Sequence, residues 1–408
     1  MTASFHAAVT GLGLVSPAGI GVPENWTRIC AGVSTAARDP ALTGLPVDFS
    51  CRVPDFDADA LLGRRRAWRL DRVAQFAIVA AREALADAGL ADAGWDDARV
   101  GVVLGSGIGG AGTWEEQHRR MLRDGPRQVS ALLIPMLAVN MVAGYVAMDC
   151  GARGPNLVTS TACASGTTAI GVARDLLRTG ACDVVLAGGA EACVIPSIVT
   201  GFSQMGALSR RSDDPAAASR PFDALRDGFV AAEAAGVLVL ERPEHAAARG
   251  ARVRARVSGY GASADAYHAT APDPEGVHVE RAMRAALRDA GVEPGAVAHV
   301  NAHGTATPLN DVIEAKVIHR VLGDVPAVSS TKGVTGHPLG AAGAIEAAYT
   351  VLAVQHSTAP PTANLDGPDP EVQVDVVAKE SRTLPMPAAM SNSFGFGGQN
   401  AVLVVTAA

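Results

Sequence analysis

The feature that most constrains the fold is the alternation of two apolar patterns along the chain. Short runs rich in β-branched residues predict buried strands, and stretches with apolar residues at helical spacing predict helices between them. The predicted strands are residues 8–10, 100–104, 183–186, 237–240, 253–257, 297–300 and 402–405, and the predicted helices are residues 72–88, 165–178, 279–289 and 341–354. This alternation predicts an α/β fold with largely parallel sheets covered on both faces.

Composition bounds the class of protein. The 408 residues, 48% of them hydrophobic, are enough for two or three domains or one duplicated fold. The net charge of -7 argues against a general nucleic-acid binder. No 18 consecutive apolar residues occur, so we expect no membrane-spanning helix, and the first residues lack the features of a secretory signal. We therefore expect a cytoplasmic protein with no membrane or nucleic-acid partner.

The six cysteines indicate neither a disulfide framework nor a metal site. They form no CxxC pair, and no Cys/His spacing typical of zinc is present. Five of them are interpreted as small buried hydrophobic residues. We expect no metal.

A weak internal repeat links the two halves of the chain. Small residues at 162–166 and again at 340–344 open a predicted helix, and a predicted strand ends in an Ala/Gly turn at 186–189 and again at 300–304. An alanine- and glycine-rich chain can produce such an echo by chance. A duplicated domain joined near residues 242–252 is the alternative, and the spacing favours neither.

Residues 105–110 match the pattern GxGxxG directly after an apolar strand, as in a dinucleotide-binding loop. The acidic residue expected at the end of a following strand is missing, since residues 114–123 form a polar, helix-like run. A glycine-rich turn that allows close backbone approach is the favoured interpretation.

Three side chains stand out as candidates for chemistry. Cys163 follows the strand-like run 157–161 and precedes a helix, whose N-terminus favours a thiolate and offers free N–H groups to an oxyanion. A packed core cysteine is the alternative. His303 and His337 lie in turns rich in glycine and threonine, which is not the setting of a core histidine, and His268 lies in a predicted loop.

Three motifs together resemble one family. Thr-Ala-Cys-Ala-Ser-Gly at 161–166, His-Gly-Thr at 303–305 and Lys-Gly-Val-Thr-Gly-His at 332–337 are similar to those of the β-ketoacyl-[acyl-carrier-protein] synthases, the elongating condensing enzymes of type II fatty acid and polyketide systems. The similarity runs from residue 9 to residue 398. It implies an α/β thiolase fold, with two similar βαβαβ-type halves in a five-layered αβαβα core. Residues 1–247 would carry the nucleophilic cysteine and residues 248–408 the two catalytic histidines.

The resemblance also implies roles. Cys163 would hold the acyl group as a thioester, and His303 and His337 would stabilise the enolate formed when malonyl carrier protein loses carbon dioxide. Lys332 would pair with Glu346, and the N–H groups of Cys163 and Phe396 would form an oxyanion hole. Phe396 would also admit the acyl chain. Substrate binding is assigned to Thr305, Thr307, Ile108, Phe202, Phe394 and His268, with no cofactor beyond the phosphopantetheine of the acyl carrier protein.

A basic surface is expected because acyl carrier proteins are acidic. On a helix, Arg65, Arg69 and Arg72 would share one face, and we expect Arg65, Arg66, Arg69 and Arg210 to contact the carrier protein. An ordinary solvated charge run is the alternative.

Three other functions compete with a self-sufficient condensing enzyme. The resemblance implies a dimer, and a ketosynthase subunit active only as a heterodimer with a chain-length-factor-like subunit is the main alternative to a homodimer. A non-catalytic scaffold is disfavoured because Cys163, His303, Lys332 and His337 are all present. A priming enzyme that uses acyl-CoA is disfavoured because His337 stands where such enzymes have asparagine.

The chain departs from the family pattern at a few small residues. Ala232 and Ala234 replace glycines in the stretch 228–236, and Ala306 stands where serine or glycine is common. An alanine at a position that requires a positive φ would be strained.

Overall fold

The main elements follow the predicted alternation. In the computed structural model, which describes residues 4–91 and 94–408, the strands are β1 Ala7–Ser16, β2 Gly19–Ile20, β3 Ala37–Arg38, β4 Phe49–Ser50, β5 Val100–Gly105, β6 Asn156–Thr159, β7 Val184–Glu191, β8 Ala234–Glu241, β9 Ala255–Ala264, β10 Val297–Asn301, β11 Ala327–Ser329, β12 Thr358–Ala359, β13 Arg382–Thr383, β14 Ala388–Gly395 and β15 Gln399–Thr406. The helices are α1 Val22–Ala31, α2 Ala58–Leu62, α3 Arg64–Ala67, α4 Arg72–Asp87, α5 Ala111–Asp124, α6 Leu133–Leu137, α7 Met141–Cys150, α8 Ser165–Arg178, α9 Pro196–Gln204, α10 Pro243–Ala248, α11 Val277–Ala290, α12 Pro308–Leu322, α13 Lys332–Thr335 and α14 Ala342–His356. Residues 1–3, on which the expectation about a secretory signal partly depends, lie outside the described residues.

The two halves of the chain repeat one strand order. The first half runs β6-β5-β7-β8-β1 and the second β11-β10-β14-β15-β9, with corresponding strands in corresponding places. The halves join edge to edge, where β1 pairs with β9 from Ala7 opposite Val257 to Val9 opposite Ala255. The internal echo is therefore a real duplication. The division at residues 247 and 248 remains a prediction.

The prediction of largely parallel sheets is wrong, because in each half of the large sheet the five strands named above combine two parallel with two antiparallel pairings. In the first half β5 pairs in parallel with β6 and β7, whereas β8 is antiparallel to both β7 and β1. The second half repeats this mixture. Continuous apolar runs report burial on both faces of a sheet, which these strands have, and carry no information on strand direction.

The helices form three layers around the two halves of the sheet. Helices α8 and α14 pack against each other in the centre, and a β-carbon added at Gly166 would lie 2.6 Å from the Ala344 nitrogen. The small residues that open both helices thus permit their close approach. Helices α4 and α7 cover the outer face of the first half, and α11 and α12 that of the second. The layers follow the predicted αβαβα order.

Within residues 4–91 and 94–408, no helix combines the length and apolar character needed to cross a bilayer.

Candidate active site

The candidate site lies where loops from both halves meet. Cys163 follows β6, His303 follows β10, and His337 follows β11, so each lies beyond the carboxyl end of a parallel strand, where ligand crevices of α/β sheets form. All three line one largely apolar cavity of about 520 Å³. The structure therefore brings together the three residues that the sequence singled out.

Cys163 lies in a sharp turn of 3₁₀ helix, Ala162–Ala164, directly before α8. Ala162 adopts a φ of 47°, a strained conformation for a residue with a β-carbon. The β14 end approaches this turn closely, since a β-carbon at Gly395 would lie 2.6 Å from the Thr161 carbonyl oxygen. This approach brings the backbone of Gly395 and Phe396 next to the Cys163 turn, since the same β-carbon would lie 3.2 Å from the Cys163 nitrogen.

Burial controls the protonation state of Cys163. It raises the pKa of the thiol to about 12, although the Lys332 charge and the Phe396 N–H act in the opposite direction. The expectation that the start of α8 favours a resting thiolate is therefore wrong, because desolvation outweighs it. At neutral pH the Cys163 side chain is therefore a thiol.

The two histidines are neutral and face each other. Their ring centroids are 5.4 Å apart with the planes at 85°. Burial, and next the charge of Lys332, lower the pKa of both imidazoles well below the usual value. Each ring also packs edge-on against an aromatic side chain, His303 against Phe394 and His337 against Phe229. At neutral pH each ring therefore carries one N–H and no charge.

Lys332 fixes the tautomer of His303. Its ammonium group donates to the His303 carbonyl oxygen at 2.6 Å, lies 3.4 Å from His303 Nδ1, and forms a buried ion pair with Glu346. Because an ammonium group only donates, Nδ1 must be unprotonated and the imidazole proton lies on Nε2. Burial raises the pKa of Glu346, against the effect of Lys332. The predicted Lys332–Glu346 pair is thus present.

Thr305 and Thr307 lie on one wall of the cavity, with their hydroxyl oxygens 2.9 Å apart. Thr307 precedes α12, but its side chain makes no capping bond to that helix. Ala306, between them, has a φ of 65° and is fully buried. The turn therefore presents two adjacent hydroxyl groups from a strained backbone.

Among the other predicted substrate contacts, Ile108, Phe202, Phe394 and Phe396 line the cavity. His268 does not. It is exposed, and its Nδ1 accepts hydrogen bonds from the backbone N–H groups of Thr270 and Ala271. Its assignment to substrate binding is corrected for that reason: the ring closes a surface turn.

Sequence reasoning missed two buried glutamates that hold the walls of the site. Glu191 accepts hydrogen bonds from the backbone N–H groups of Gly107, Ile108 and Gly340. These bonds occupy the amide groups that a dinucleotide phosphate would need, so the 105–110 loop is not arranged to bind one. Gly107 and Ile108 instead line the cavity. Burial raises the pKa of Glu191 to about 7. An acidic residue at the end of the apolar strand β7 was the available signal.

Glu314 plays the matching part on the other side of the cavity. It accepts hydrogen bonds from the backbone N–H groups of His303 and Gly304 and from the Asn392 side chain. Burial raises its pKa to about 7 as well. Nothing in its local sequence distinguishes it from an ordinary helical glutamate.

The arginine run does not form one helix. Helix α3 ends at Ala67, and Asp71 adopts an extended conformation that caps α4. The expectation that Arg65, Arg69 and Arg72 share a helical face is therefore wrong, and Arg72 instead pairs with the buried Glu233.

Three of the four predicted docking arginines point to solvent. Arg65, Arg69 and Arg210 are exposed. Arg66 is engaged in an ion pair with Asp149, which leaves less of its charge for a partner.

The two alanines that replace family glycines cause no strain. Neither Ala232 nor Ala234 has a positive φ. Ala232 donates its N–H to the His337 carbonyl oxygen at 3.2 Å, and Ala234 begins β8. The stretch 228–236 therefore keeps its shape with a β-carbon at both positions.

Over the described ranges, no cluster of three or more His, Cys, Asp or Glu side chains is arranged to hold a metal ion.

Comparison with known proteins places this geometry in a family. The chain is 45% identical over 405 residues to 3-oxoacyl-[acyl-carrier-protein] synthase 2 of Synechocystis, covering 98% of this chain and 97% of that protein. A solved β-ketoacyl synthase from Burkholderia phymatum is similar with a TM-score of 0.93 and 36% identity, over 99% of this chain and 100% of the other. The solved ishigamide ketosynthase/chain length factor gives a TM-score of 0.92 and 34% identity over the whole of both chains.

Two family models match in the order that the duplicated fold requires. The one described as "Beta-ketoacyl synthase, N-terminal domain" matches residues 6–246, and the one described as "Beta-ketoacyl synthase, C-terminal domain" matches residues 254–366. These matches, the thiolase fold and the Cys-His-His cavity agree: the chain belongs to the β-ketoacyl synthase family.

Proposed function

We propose that this protein is an elongating β-ketoacyl-[acyl-carrier-protein] synthase, an acyltransferase that lengthens a carrier-bound acyl chain by two carbons. The observation that carries the proposal is one cavity lined by a buried cysteine thiol and two neutral imidazoles. A thiol can hold an acyl group as a reactive thioester, and a neutral imidazole can donate its N–H group to the oxygen of a developing enolate.

The first half-reaction is acyl transfer to Cys163. The sulfur attacks the carbonyl carbon of an acyl carrier protein thioester, while the N–H groups of Cys163 and Phe396 stabilise the oxyanion. The carbon–sulfur bond to phosphopantetheine then breaks, and the thiol proton passes to the departing pantetheine sulfur. The close approach of the Gly395 backbone to the Cys163 turn supports this role.

The second half-reaction is decarboxylative condensation. Malonyl carrier protein enters, its carboxylate leaves as carbon dioxide, and the electron pair is delocalised onto the thioester oxygen. N–H groups of His303 and His337 stabilise that oxygen. The carbanion attacks the acyl carbon on Cys163, the cysteine leaves as a thiolate that takes a proton from water, and a 3-oxoacyl thioester is released.

The other site residues support these steps by position. Lys332 and Glu346 hold His303 in its Nε2–H tautomer, and the hydroxyl groups of Thr305 and Thr307 hydrogen-bond the phosphopantetheine arm. Ile108 and Phe202 line the acyl chain, with Phe394 and Phe396 beside the reacting carbon. The two half-reactions balance with these groups and one proton from water, so the proposal includes no metal or redox cofactor, and it includes a cytoplasmic location.

A second subunit is part of the proposal. Strand β6 is one of the two edge strands of the large sheet, at the end opposite β11. Apolar side chains on it and on α6 and α7 are exposed, namely Leu157, Ile134 and Met148. Such a surface favours pairing with another chain. A homodimer and a heterodimer with a chain-length-factor-like subunit both fit. The similarity to the ishigamide ketosynthase/chain length factor supports the heterodimer.

The test is a condensation assay with purified protein, a set of acyl carrier protein thioesters and malonyl carrier protein. We expect a carrier-bound 3-oxoacyl product two carbons longer than the substrate, detected by mass spectrometry and absent with Cys163→Ala. Activity that appears only after a candidate partner subunit is added would select the heterodimer. No product under either condition would contradict the proposed function.

A further inference from the structure

Two buried arginines lie close together in the segment that precedes β8. Arg220 and Arg226 are six residues apart, and their side chains are 8% and 4% exposed. Arg220 donates to the Asp223 carboxylate, and Arg226 donates to the Asp223 backbone carbonyl oxygen. Neither lines the cavity, yet only one of them reaches the turn that carries Thr305 and Thr307.

Arg226 and its neighbour bind three consecutive carbonyl groups of that turn. The Gly228 N–H donates to the Ala306 oxygen at 3.0 Å. Arg226 Nε donates to the Thr307 oxygen at 3.1 Å, and a terminal nitrogen donates to the Pro308 oxygen at 2.9 Å. One planar guanidinium thus fixes two successive peptide groups, Thr307–Pro308 and Pro308–Leu309.

The charge of Arg226 is balanced from two sides. Its other terminal nitrogen donates to Asp369 at 2.7 Å, and Asp311 lies 3.8 Å from Nε. Asp311 also accepts the Phe222 N–H, which ties the arginine segment to the first turn of α12. Such a fork of donors requires arginine, because a lysine offers one point charge and cannot span two carbonyl groups in fixed geometry.

The turn needs an external support. Ala306 holds a positive φ, and the Thr307 hydroxyl bonds Thr305 instead of capping α12. The two hydroxyl groups stay adjacent only if the backbone is held from behind. We propose that Arg226 is a positioning residue that sets the phosphopantetheine-binding hydroxyl groups of Thr305 and Thr307, and so determines affinity for carrier-bound substrates.

This inference rests on the proposed function, and its test keeps the two apart. The variant is Arg226→Lys, and the matched control is Arg220→Lys, an equally buried arginine on the same segment that does not touch the 306–308 turn. The measurements are kcat and KM for an acyl carrier protein thioester, together with the rate at which iodoacetamide alkylates Cys163. Alkylation reports the cysteine without using the pantetheine arm.

For Arg226→Lys we expect KM to rise about tenfold, with kcat and the alkylation rate within twofold of the parent, because the loss of a well-made hydrogen bond costs about this much. Arg220→Lys should change KM by less than twofold. An unchanged KM in Arg226→Lys, an equal rise in Arg220→Lys, or an equal fall in alkylation would each overturn the inference. Failure of the parent protein to accept any acyl group would instead overturn the proposed function.

A milder variant covers the case in which Arg226→Lys does not fold. Asp369→Asn removes the negative partner at the solvent side of Arg226, where the carboxylate is 19% exposed. We expect a several-fold rise in KM with unchanged alkylation. No change in KM would contradict the positioning role.

Discussion

The two halves of the molecule share one scaffold and differ in the chemistry of corresponding loops. The loop after β6 carries Cys163, whereas the loop after the corresponding β11 carries Lys332 and His337. The loop after β5 carries the apolar Ile108, and the loop after β10 carries His303. Duplication therefore supplied two sets of loops at one cavity. Under the proposed function, one half carries the acyl acceptor and the other carries the groups that stabilise an enolate.

In both halves a buried glutamate holds a loop that lines the cavity. The loop after β5 is held by Glu191 and the loop after β10 by Glu314, each through backbone N–H groups. A carboxylate that accepts several N–H groups can fix a loop that forms no regular structure. The contrast between the halves thus lies in the side chains presented to the cavity, while the support behind them is alike.

The largest expected effect separates the two half-reactions. His303→Ala or His337→Ala should lower malonyl decarboxylation and condensation by about 10²- to 10³-fold, because each removes one donor to the enolate oxygen. Acyl transfer to Cys163 should change far less. The measurement is the release of carbon dioxide from malonyl carrier protein by each variant. Full decarboxylation in both variants would contradict the division between the halves.

The glutamate supports should appear in the pH dependence of stability. Folding raises the pKa of Glu191 to about 7, so its contribution is fully present below the unfolded pKa near 4.5 and is lost as the pH rises through 7. The buried histidines, whose pKa values are lowered, act in the opposite sense, so the difference between parent and Glu191→Gln isolates the carboxyl.

Denaturant unfolding between pH 4.5 and pH 7 measures that difference. Relative to Glu191→Gln, the parent should lose up to about 1.4 kcal/mol of unfolding free energy per pH unit. The parent should show the same loss relative to Glu314→Gln, because burial raises the pKa of Glu314 to about 7 as well. If the unfolding free energy of the parent and of both variants changed with pH in parallel, folding would not raise the pKa of these carboxyls.

The outer surfaces of the halves should differ in carrier-protein binding. Reversing Arg65 and Arg69 to Glu should raise the KM for acyl carrier protein about tenfold through loss of charge complementarity. The matched control reverses Arg281 and Arg288, two exposed arginines on α11 of the second half, and makes the same change in net charge. Steady-state kinetics at fixed ionic strength should detect less than a twofold effect for the control. Equal effects would reduce the docking surface to general electrostatics.

The smallest effect concerns the strained turn of the second half. Ala306→Gly should raise the free energy of unfolding by about 1 kcal/mol, because glycine adopts a positive φ without steric cost. Ala232→Gly is the matched control: at this ordinary φ, glycine should stabilise nothing and should cost conformational entropy. Denaturant unfolding of both variants compares them. A less stable Ala306→Gly would show that the buried methyl group outweighs the strain.

Much of the fold could be predicted because buried strands such as β5 and β15 are rich in valine. Strand β14 has the sequence Ala-Ala-Met-Ser-Asn-Ser-Phe-Gly, which lacks that signal although most of it is buried. The prediction of one helix through the arginine run is wrong because α3 ends at Ala67 and Asp71 caps a new helix, a break that the spacing of the arginines does not show.

The site divides in the same way. Motifs identified Cys163, His303 and His337, whereas Glu191 and Arg226 act on backbone groups more than 80 residues away in the chain. A local pattern cannot encode such contacts, since the partner atom is a peptide group that every residue has. The assignment of His268 to substrate binding is wrong because the sequence around a loop histidine does not show whether the ring faces the cavity or solvent.

The central claim is that the cysteine of the first half accepts the acyl group without the histidines of the second half. Its most direct test is the intact-protein mass after incubation with an acyl carrier protein thioester alone. We predict a single acyl adduct in the parent and in His303→Ala and His337→Ala, and none in Cys163→Ala. Loss of the adduct in the histidine variants as complete as in Cys163→Ala would contradict the account. An adduct that persists in Cys163→Ala would move the nucleophile elsewhere.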